Sequence, residues 1–261
     1  MADETSFHGN PCWYELGTSD VAGAEAFYGR LLGWTGADAG IPGMEYHLET
    51  APDGGMVAGM MDNSTMPGSP PPAWCVYYAV DDCDATVEAA TAAGGSVCMP
   101  ATDIPETGRI AVLADPHGAV FGVLQPEPMD GPPPGTPPFA MGTTGHGGWH
   151  ELMTPDPEAA LEFYAGLFGW QKDVAMEMPE GMGTYQIIAR AGQQFGAVMG
   201  QGNSPVPAWL PYFCVENTDT AIGAVKDAGG QVLHGPIEVP MAMRVAIATD
   251  PQGAAFAVLG S

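Results

Sequence analysis

Residues 147–170 read GGWHELMTPDPEAALEFYAGLFGW and closely repeat residues 10–34, NPCWYELGTSDVAGAEAFYGRLLGW. In both copies a strand-like Trp-x-Glu segment precedes an Asp at a helix N-cap position, and Phe-Tyr and Gly-Trp pairs follow. Pro157 suits a first helical turn, and Gly33 and Gly169 predict left-handed helix ends. Because an internal repeat governs the architecture, the chain is predicted to contain two related domains that each begin with a strand and a helix.

A second strand-then-helix pattern follows the first inside each copy. Strands are predicted over AWCVYYAV and AWLPYFCV, and the segments DCDATVEAATAAGG and NTDTAIGAVKDAGG are predicted to form helices that end at Gly-Gly. Between the two patterns, further strands are predicted over MEYHLET, GGMVAGMM, TYQIIAR and QQFGAVMG. A turn with Pro second and Gly fourth, at 115–118 and 250–253, forms the final hairpin. The sequence therefore predicts four βαβββ modules, in domains at 9–126 and 145–259 joined by a Pro/Gly-rich linker at 127–144.

The composition excludes several classes of partner. Six Lys and Arg stand against 31 Asp and Glu among 261 residues, which gives a net charge of −25 that repels nucleic acid and anionic lipid. The five cysteines are odd in number and lack CxxC spacing, so neither a disulfide framework nor a thiolate zinc site is expected. No run is apolar enough for a membrane span and no N-terminal targeting pattern is present, so a soluble, cytoplasmic protein is predicted.

The repeated Trp-x-Glu strand, the Phe-Tyr and Leu/Phe-Gly-Trp helix and the Asp-Pro-x-Gly-Ala hairpin resemble the vicinal oxygen chelate superfamily. This superfamily includes glyoxalase I, bleomycin- and fosfomycin-resistance proteins and extradiol dioxygenases. The resemblance spans nearly the whole chain and implies an α+β fold. It also implies that the four βαβββ modules form two half-open barrels of mixed sheet, each with a metal and a small substrate on its concave face.

The resemblance also implies which positions would hold that metal. In the first domain they are Trp13, Cys75 and Gly122, and in the second they are Trp149, Leu210 and Ala257. Transition metals need three or four convergent N, O or S donors, and these residues supply almost none. We therefore expect neither domain to contain the superfamily's metal centre, and we expect no other cofactor.

The carboxylates of Glu15 and Glu151 are the candidate catalytic groups. Strand alternation places Glu15 on the same face as Trp13, and Glu151 on the same face as Trp149. In an apolar pocket the pKa of such a carboxyl would rise, which suits a general acid or base. The alternative is structural, because buried carboxylates are usually paired: Arg109 and Arg244 would then form ion pairs with Glu15 and Glu151.

Further side chains are candidates for binding an apolar or planar ligand on the same surfaces. The complete predicted set of ligand-binding residues is Trp13, His47, Trp74, Arg109, Phe121, Trp149, Tyr185, Trp209, Arg244 and Phe256. His47 could reach the first pocket, whereas Trp74 and Trp209 could equally be core residues.

Three classes of function remain open. The protein could bind a small apolar or carbonyl-containing molecule in aromatic-lined pockets. It could instead be a metal-independent lyase or isomerase of the glyoxalase type that uses Glu15 or Glu151 as the general acid or base. It could also be an interaction module without a small ligand. A monomer with intramolecular domain pairing and a homodimer are both compatible with the repeat.

Overall fold

The computed structural model describes residues 7–41, 43–64, 66, 68, 70–127, 135–178, 183–202 and 204–261. Within these ranges the chain forms four modules, and each contains a strand, a helix and three further strands in that order. The prediction of four βαβββ modules and an α+β fold is therefore confirmed.

The bounds of the elements are as follows. The first module contains β1 (Pro11–Thr18), α1 (Val21–Leu32), β2 (Thr35–Asp38), β3 (Tyr46–Thr50) and β4 (Met56–Asp62). The second contains β5 (Ala73–Ala79), α2 (Cys83–Ala92), β6 (Ser96–Ile104), β7 (Gly108–Ala114) and β8 (Val120–Pro126). The third contains β9 (Gly147–Thr154), α3 (Pro157–Phe168), β10 (Gln171–Glu177), β11 (Thr184–Arg190) and β12 (Gln193–Gly200). The fourth contains β13 (Ala208–Cys214), α4 (Thr218–Asp227), β14 (Gln231–Val239), β15 (Met243–Thr249) and β16 (Ala255–Gly260).

The helices begin and end where the sequence predicts. The side chain of Asp20 accepts a hydrogen bond from the Gly23 amide, and Asp156 accepts one from Ala159, so both aspartates are N-caps. Gly33 and Gly169 end α1 and α3 with φ of 74° and 67°, a conformation in which glycine avoids the steric cost of a Cβ. Among the helices of the described residues, none combines the length and apolarity that crossing a bilayer requires.

The strands form two mixed sheets of eight strands each. The strand orders are β2-β3-β4-β1-β5-β8-β7-β6 and β10-β11-β12-β9-β13-β16-β15-β14. Parallel pairs join β1 to β4 and β5 to β8, and hairpins supply the antiparallel pairs. The edge strands β2 and β10 are almost entirely exposed, so they lack the apolar alternation by which sequence analysis locates a strand.

The chain divides into two compact units, and each unit contains one module from each repeat. We name the units by the order of their modules in the sequence, not by their position in space. The outer unit comprises Trp13–Cys75, Pro133–Trp149 and Leu210–Ser261, and so contains the first and fourth modules. The inner unit comprises Met1–Cys12, Val76–Pro132 and His150–Trp209, and so contains the second and third modules. Of the predicted linker at 127–144, residues 128–134 lie outside the described residues.

The core of the outer unit is an aromatic cluster built around Tyr28. The indole of Trp74 donates to the Tyr28 hydroxyl (2.9 Å), and that hydroxyl donates to the carboxylate of Asp250 (3.2 Å). Asp250 also accepts from the backbone amides of its own hairpin turn. The other rings of the cluster are Phe27, Trp34, Phe213 and Phe256. The turn motif thus supplies a buried carboxylate that joins the fourth module to the first.

The core of the inner unit repeats this arrangement around Tyr164. Trp209 donates to the Tyr164 hydroxyl (2.9 Å), which donates to Asp115 (3.3 Å) in the turn between β7 and β8. The surrounding rings are Tyr78, Phe121, Phe163, Phe168, Trp170 and Phe195. The Phe-Tyr helix motif and the Asp-Pro-x-Gly hairpin of opposite repeats are therefore partners in both units.

Candidate functional site

The first strand of each repeat presents Trp-x-Glu on one face, as the alternation predicts. On β1, Tyr14 and Leu16 are fully buried, whereas Trp13 and Glu15 are half-buried on the opposite face. The third module repeats this pattern: Glu151 on β9 is half-buried between residues that are buried. Each Glu carboxylate is therefore shielded from bulk water on its strand without being sealed in the core.

The carboxylate of Glu15 belongs to a hydrogen-bonded group with Trp13 and Tyr46. The Tyr46 hydroxyl donates to Glu15 Oε2 (3.3 Å) and accepts from Trp13 Nε1 (3.2 Å). Burial, and then the negative charge of Glu15, hold the pKa of Tyr46 well above its ordinary range. Tyr46 therefore remains a hydrogen-bond donor at neutral pH, and it orients both neighbours.

A glycine on the intervening strand lets Tyr46 reach Glu15. Glu15 on β1 pairs with Gly59 on β4, and β4 in turn pairs with β3, which carries Tyr46. A Cβ at Gly59 would collide with the Tyr46 hydroxyl and ring. In the first repeat the Tyr46 ring therefore lies directly against the backbone of β4, in the space that a side chain at Gly59 would fill.

The second repeat builds the same contact with different neighbours. Tyr185 on β11 donates to Glu151 Oε1 at 2.7 Å. Glu151 pairs with Ala197 on β12, the counterpart of Gly59. Trp149, two residues before Glu151, is half-buried like Trp13. A tyrosine–glutamate pair therefore occurs once in each repeat, at corresponding strand positions.

Sequence reasoning included Tyr185 but missed Tyr46, although both are the aromatic residues of the first hairpin after the helix. The available signal was their common place in the repeat. On β3, His47 pairs with Met60, and on β11, Gln186 pairs with Val198, so Tyr46 and Tyr185 correspond. His47 itself lies on the opposite face of β3 from Tyr46, where its Nδ1 contacts the Glu25 carboxylate at 2.7 Å. The structure thus places His47 apart from Trp13 and Glu15.

The two arginines considered as partners for Glu15 and Glu151 bind other carboxylates. Arg109 forms a bidentate pair with Asp84 (2.9 Å for each bond) and also donates to Asp103 (2.8 Å). Arg244 donates to Asp219, the counterpart of Asp84 in the fourth module. Both aspartates lie in the first turn of a helix, so the guanidiniums tie a late strand to a helix start.

Four aromatic residues that were candidates for ligand binding belong to the cores. Trp74 and Trp209 are buried, at 7% and 5% exposed, and their indoles donate to the hydroxyls of Tyr28 and Tyr164. Phe121 and Phe256 are fully buried against the same tyrosines. Their rings stabilise the cores and are not exposed to a ligand. Of the predicted set, the structure brings together Trp13 with Glu15, and Tyr185 with Glu151.

The positions at which the superfamily's metal is expected do not supply a ligand set. Trp13 donates its ring N–H to Tyr46, and Cys75 is a half-buried thiol on β5. Gly122 on β8 pairs with Tyr77 on β5, and any Cβ there would collide with the Tyr77 ring. In the second repeat Leu210 and Ala257 are buried apolar residues, and Ala257 pairs with Tyr212. Across the described parts of the chain, no group of three or more His, Cys, Asp or Glu has the geometry to hold a metal.

The chain is similar in sequence to proteins of known name over almost its full length. It is 36% identical over 257 residues to the "Putative glyoxylase CFP32" of Mycobacterium bovis, covering 96% of this chain and 94% of that protein. It is 32% identical over 265 residues to the "Anthracycline biosynthesis protein DnrV" of Streptomyces peucetius, covering 96% of this chain and 93% of that protein.

Solved structures share the fold at low sequence identity. The 2,3-dioxygenase LapB from Pseudomonas sp. KL28 matches with a TM-score of 0.66 and 13% identity, over 98% of this chain and 94% of that one. The Mn(II)-bound glyoxalase from Novosphingobium aromaticivorans matches with a TM-score of 0.65 and 15% identity, over 97% and 82%. Residues 12–123 and 145–258 each match one sequence family, so the chain belongs to the Glyoxalase/Bleomycin resistance protein/Dioxygenase superfamily.

Proposed function

We propose that the protein binds a small planar or carbonyl-containing molecule at its tyrosine–glutamate pairs, without the superfamily's metal centre. The observation that supports this proposal is the recurrence of the pair, Tyr46 with Glu15 and Tyr185 with Glu151, at corresponding positions of both repeats. A polar pair kept twice on a half-buried face has the character of a ligand-recognition group, since such sites combine apolar walls with a few placed polar atoms.

The chemistry of the pair suits a ligand with both a hydrogen-bond donor and an acceptor. The carboxylate accepts from a ligand hydroxyl or N–H, and the phenol donates to a carbonyl oxygen. The half-buried indole of Trp13, oriented by its bond to Tyr46, offers an aromatic surface to a planar ring. The names of the relatives agree with this class: one is an anthracycline biosynthesis protein and another a putative glyoxylase.

The proposed absence of a metal centre follows from the residues at the expected positions. Gly122 is covered by Tyr77, and Trp13 cannot coordinate a cation. Elemental analysis of the purified protein tests this point directly, before and after dialysis against a chelator. A transition metal retained at one equivalent per domain after chelation would contradict it.

A metal-independent isomerase or lyase is the second candidate, and Glu15 or Glu151 would be its general base. The carboxylate would remove a proton from the hydroxyl-bearing carbon next to a carbonyl and return it to the carbonyl carbon, while the hydroxyl proton moves to the former carbonyl oxygen, so the isomerisation needs no oxidant. The hydrogen bond that Tyr46 donates holds the Glu15 carboxylate in a defined orientation, which a positioned base requires. An assay of hemithioacetal isomerisation, with and without added metal, measures this activity.

Binding is measured by quenching of tryptophan fluorescence during titration with a planar hydroxyquinone. In Glu15→Gln we expect Kd to rise roughly 10- to 100-fold, since a hydrogen bond to a charged group contributes about 1.5–3 kcal/mol. Tyr46→Phe should raise Kd roughly 3- to 10-fold. Glu151→Gln and Tyr185→Phe report on the second repeat in the same way.

Glu88→Gln is the matched control, because it removes the same charge from an exposed position of α2. It should leave Kd unchanged. If all four pair variants fold and bind like the unaltered protein, the proposal fails. If neither binding nor isomerisation is detected across a broad set of planar and carbonyl compounds, the interaction-module alternative is favoured instead.

A further inference from the structure

The face of β3 that points away from Tyr46 carries an acidic cluster with α1. His47 and Glu49 project from this face, and Glu25 of α1 lies against them. The His47 Nδ1 to Glu25 Oε1 distance is 2.7 Å, and the two side chains are 20% and 25% exposed. None of these three residues takes part in the tyrosine–glutamate site.

Glu49 is the unusual member of the cluster. It is fully buried, and neither carboxylate oxygen has a hydrogen-bond partner among the described residues. Its cross-strand neighbour on β2 is Gly36. A Cβ built on Gly36 would collide with Glu25 Oε1 and lie 2.7 Å from Glu49 Oε1. The two carboxyl groups therefore share the small space that the glycine leaves open.

Such a pair cannot readily hold two negative charges, because burial and mutual repulsion both penalise the second charge. Burial, and then the charge of Glu25, raise the pKa of Glu49 from 4.5 to about 7, against the effect of His47. The hydrogen bond to Glu25 raises the pKa of His47. The other charged groups that face His47 are Asp38 on β2 and Glu45 just before β3, and both favour its protonated form.

The second repeat shows that the fold does not require this cluster. By strand register, Glu49 corresponds to Ile188 and His47 to Gln186, and by the repeat in sequence Glu25 corresponds to Leu161. Ile188 is fully buried and Leu161 nearly so. An apolar side chain fills this position at no electrostatic cost, so the carboxyl pair in the first repeat is not explained by packing.

We propose that Glu25, His47 and Glu49 form a proton-binding cluster that makes the packing of α1 on β2 and β3 depend on pH, a property that the second repeat lacks. With a proton on Glu49, the packing of the helix on the sheet is stable. Loss of that proton leaves two adjacent buried charges and weakens the contact of the helix with the sheet.

The sign of the effect follows from linkage. A carboxyl whose pKa is higher in the folded state binds a proton more tightly there than in the unfolded chain. Its stabilising contribution is therefore complete below about pH 4.5 and is lost as pH rises through about 7. His47, whose pKa is also raised, adds a loss of the same sign as pH rises.

The test is urea unfolding of the unaltered protein and of Glu49→Gln, a neutral variant of the same shape, at intervals from pH 5 to 8.5. The unfolding equilibrium constant of the unaltered protein, divided by that of Glu49→Gln at the same pH, should rise by up to about tenfold per pH unit between about pH 5 and 7 and then level off. His47→Gln should move the midpoint of this change to higher pH, and Glu25→Gln should move it to lower pH. Parallel pH profiles for the unaltered protein and Glu49→Gln would overturn the proposal.

A second measurement takes its decisive reading from the unaltered protein, so that reading does not depend on how well any variant folds. The infrared band of a protonated carboxylic acid should be present in the native protein at pH 6 and disappear by pH 8.5. Asp250→Asn should retain the band, which separates Glu49 from Asp250, a buried carboxyl whose pKa is also raised. Absence of any such band at pH 6 contradicts the proposal. The double variant Glu25→Leu, Glu49→Ile, which copies the second repeat, should lose the band and the pH dependence together.

Discussion

The two repeats agree on one face of their hairpin strands and differ on the other. On one face, Tyr46 on β3 and Tyr185 on β11 each donate to the glutamate of the first strand. On the opposite face, the first repeat buries Glu49 beside Glu25, whereas the second buries Ile188. The ligand binding proposed above rests on the face that the repeats share, and the pH dependence proposed for Glu49 is confined to the face on which they differ.

The cores of the two units share the same chain of buried hydrogen bonds. In each unit a tryptophan donates to a tyrosine, and the tyrosine donates to the aspartate of a hairpin from the other repeat. The residues of this chain of hydrogen bonds are identical in type in the two units. A buried polar chain is tolerated only when every member is satisfied, so it is retained as a set.

The largest expected effect comes from introducing a carboxyl group into the second repeat at the position that corresponds to Glu49. Ile188→Glu places a carboxylate in an apolar site, and the Lys172 ammonium on the neighbouring strand already binds Glu158. We expect a loss of about 3 kcal/mol or more in the free energy of unfolding at pH 8, and a smaller loss at pH 5, where the new carboxyl is protonated. Urea titrations at both pH values measure it. Ile188→Val, the control, should cost about 0.5–1.5 kcal/mol at either pH.

The second effect tests whether the two cores are equivalent. Tyr28→Phe leaves the Asp250 carboxylate and the Trp74 indole without their shared partner, and Tyr164→Phe does the same to Asp115 and Trp209. Each variant should lose about 1–3 kcal/mol in the free energy of unfolding because buried polar groups are left unsatisfied. Thermal and denaturant unfolding provide the measurement. A loss confined to one of the two variants would show that the units differ in a way their hydrogen bonds do not reveal.

The third effect concerns the glycine that admits Tyr46. Gly59→Ala puts a methyl group where the Tyr46 ring lies, so we expect a loss of about 1–2 kcal/mol and a weaker bond to Glu15. Affinity for the planar ligand should fall with it. Ala197→Gly, the reciprocal change in the second repeat, should cost only about 0.5–1 kcal/mol through backbone entropy. If Gly59→Ala changes neither stability nor affinity, Tyr46 is not held as described.

The smallest expected effect tests whether Arg109 and Arg244 contribute to ligand binding at the tyrosine–glutamate pairs. Arg109→Met and Arg244→Met remove partly exposed ion pairs with Asp84 and Asp219. Each should lower the free energy of unfolding by no more than about 1 kcal/mol and leave ligand affinity unchanged. Fluorescence titration beside Glu15→Gln makes the comparison. A large fall in affinity in Arg109→Met would instead support the alternative in which Arg109 acts together with Glu15.

Much of the fold could be predicted because its signals are local. Asp20 and Asp156 are N-caps, Gly33 and Gly169 adopt the left-handed conformation, and Glu15 shares a face with Trp13, all of which depend on a few consecutive residues. The exposed edge strands β2 and β10 were not located, because they carry no apolar alternation. Alternation predicts that His47 and Tyr46 lie on opposite faces of β3, but it does not show which of those faces Glu15 shares; the structure places Tyr46 against Glu15 and His47 against Glu25.

The sequence by itself determined the repeat and the order of elements in the four modules, because both are a matter of spacing along the chain. The positions of the superfamily's metal ligands came from the resemblance to that superfamily. Which side chains contact one another was decided by the tertiary structure alone. Tyr46 meets Glu15 only through the register of β3, β4 and β1, and Asp250 meets Tyr28 only because the fourth module packs against the first. The buried state of Glu49 has the same origin. Burial and pairing depend on residues distant in the chain, and it is these contacts that set the chemistry of a carboxyl group.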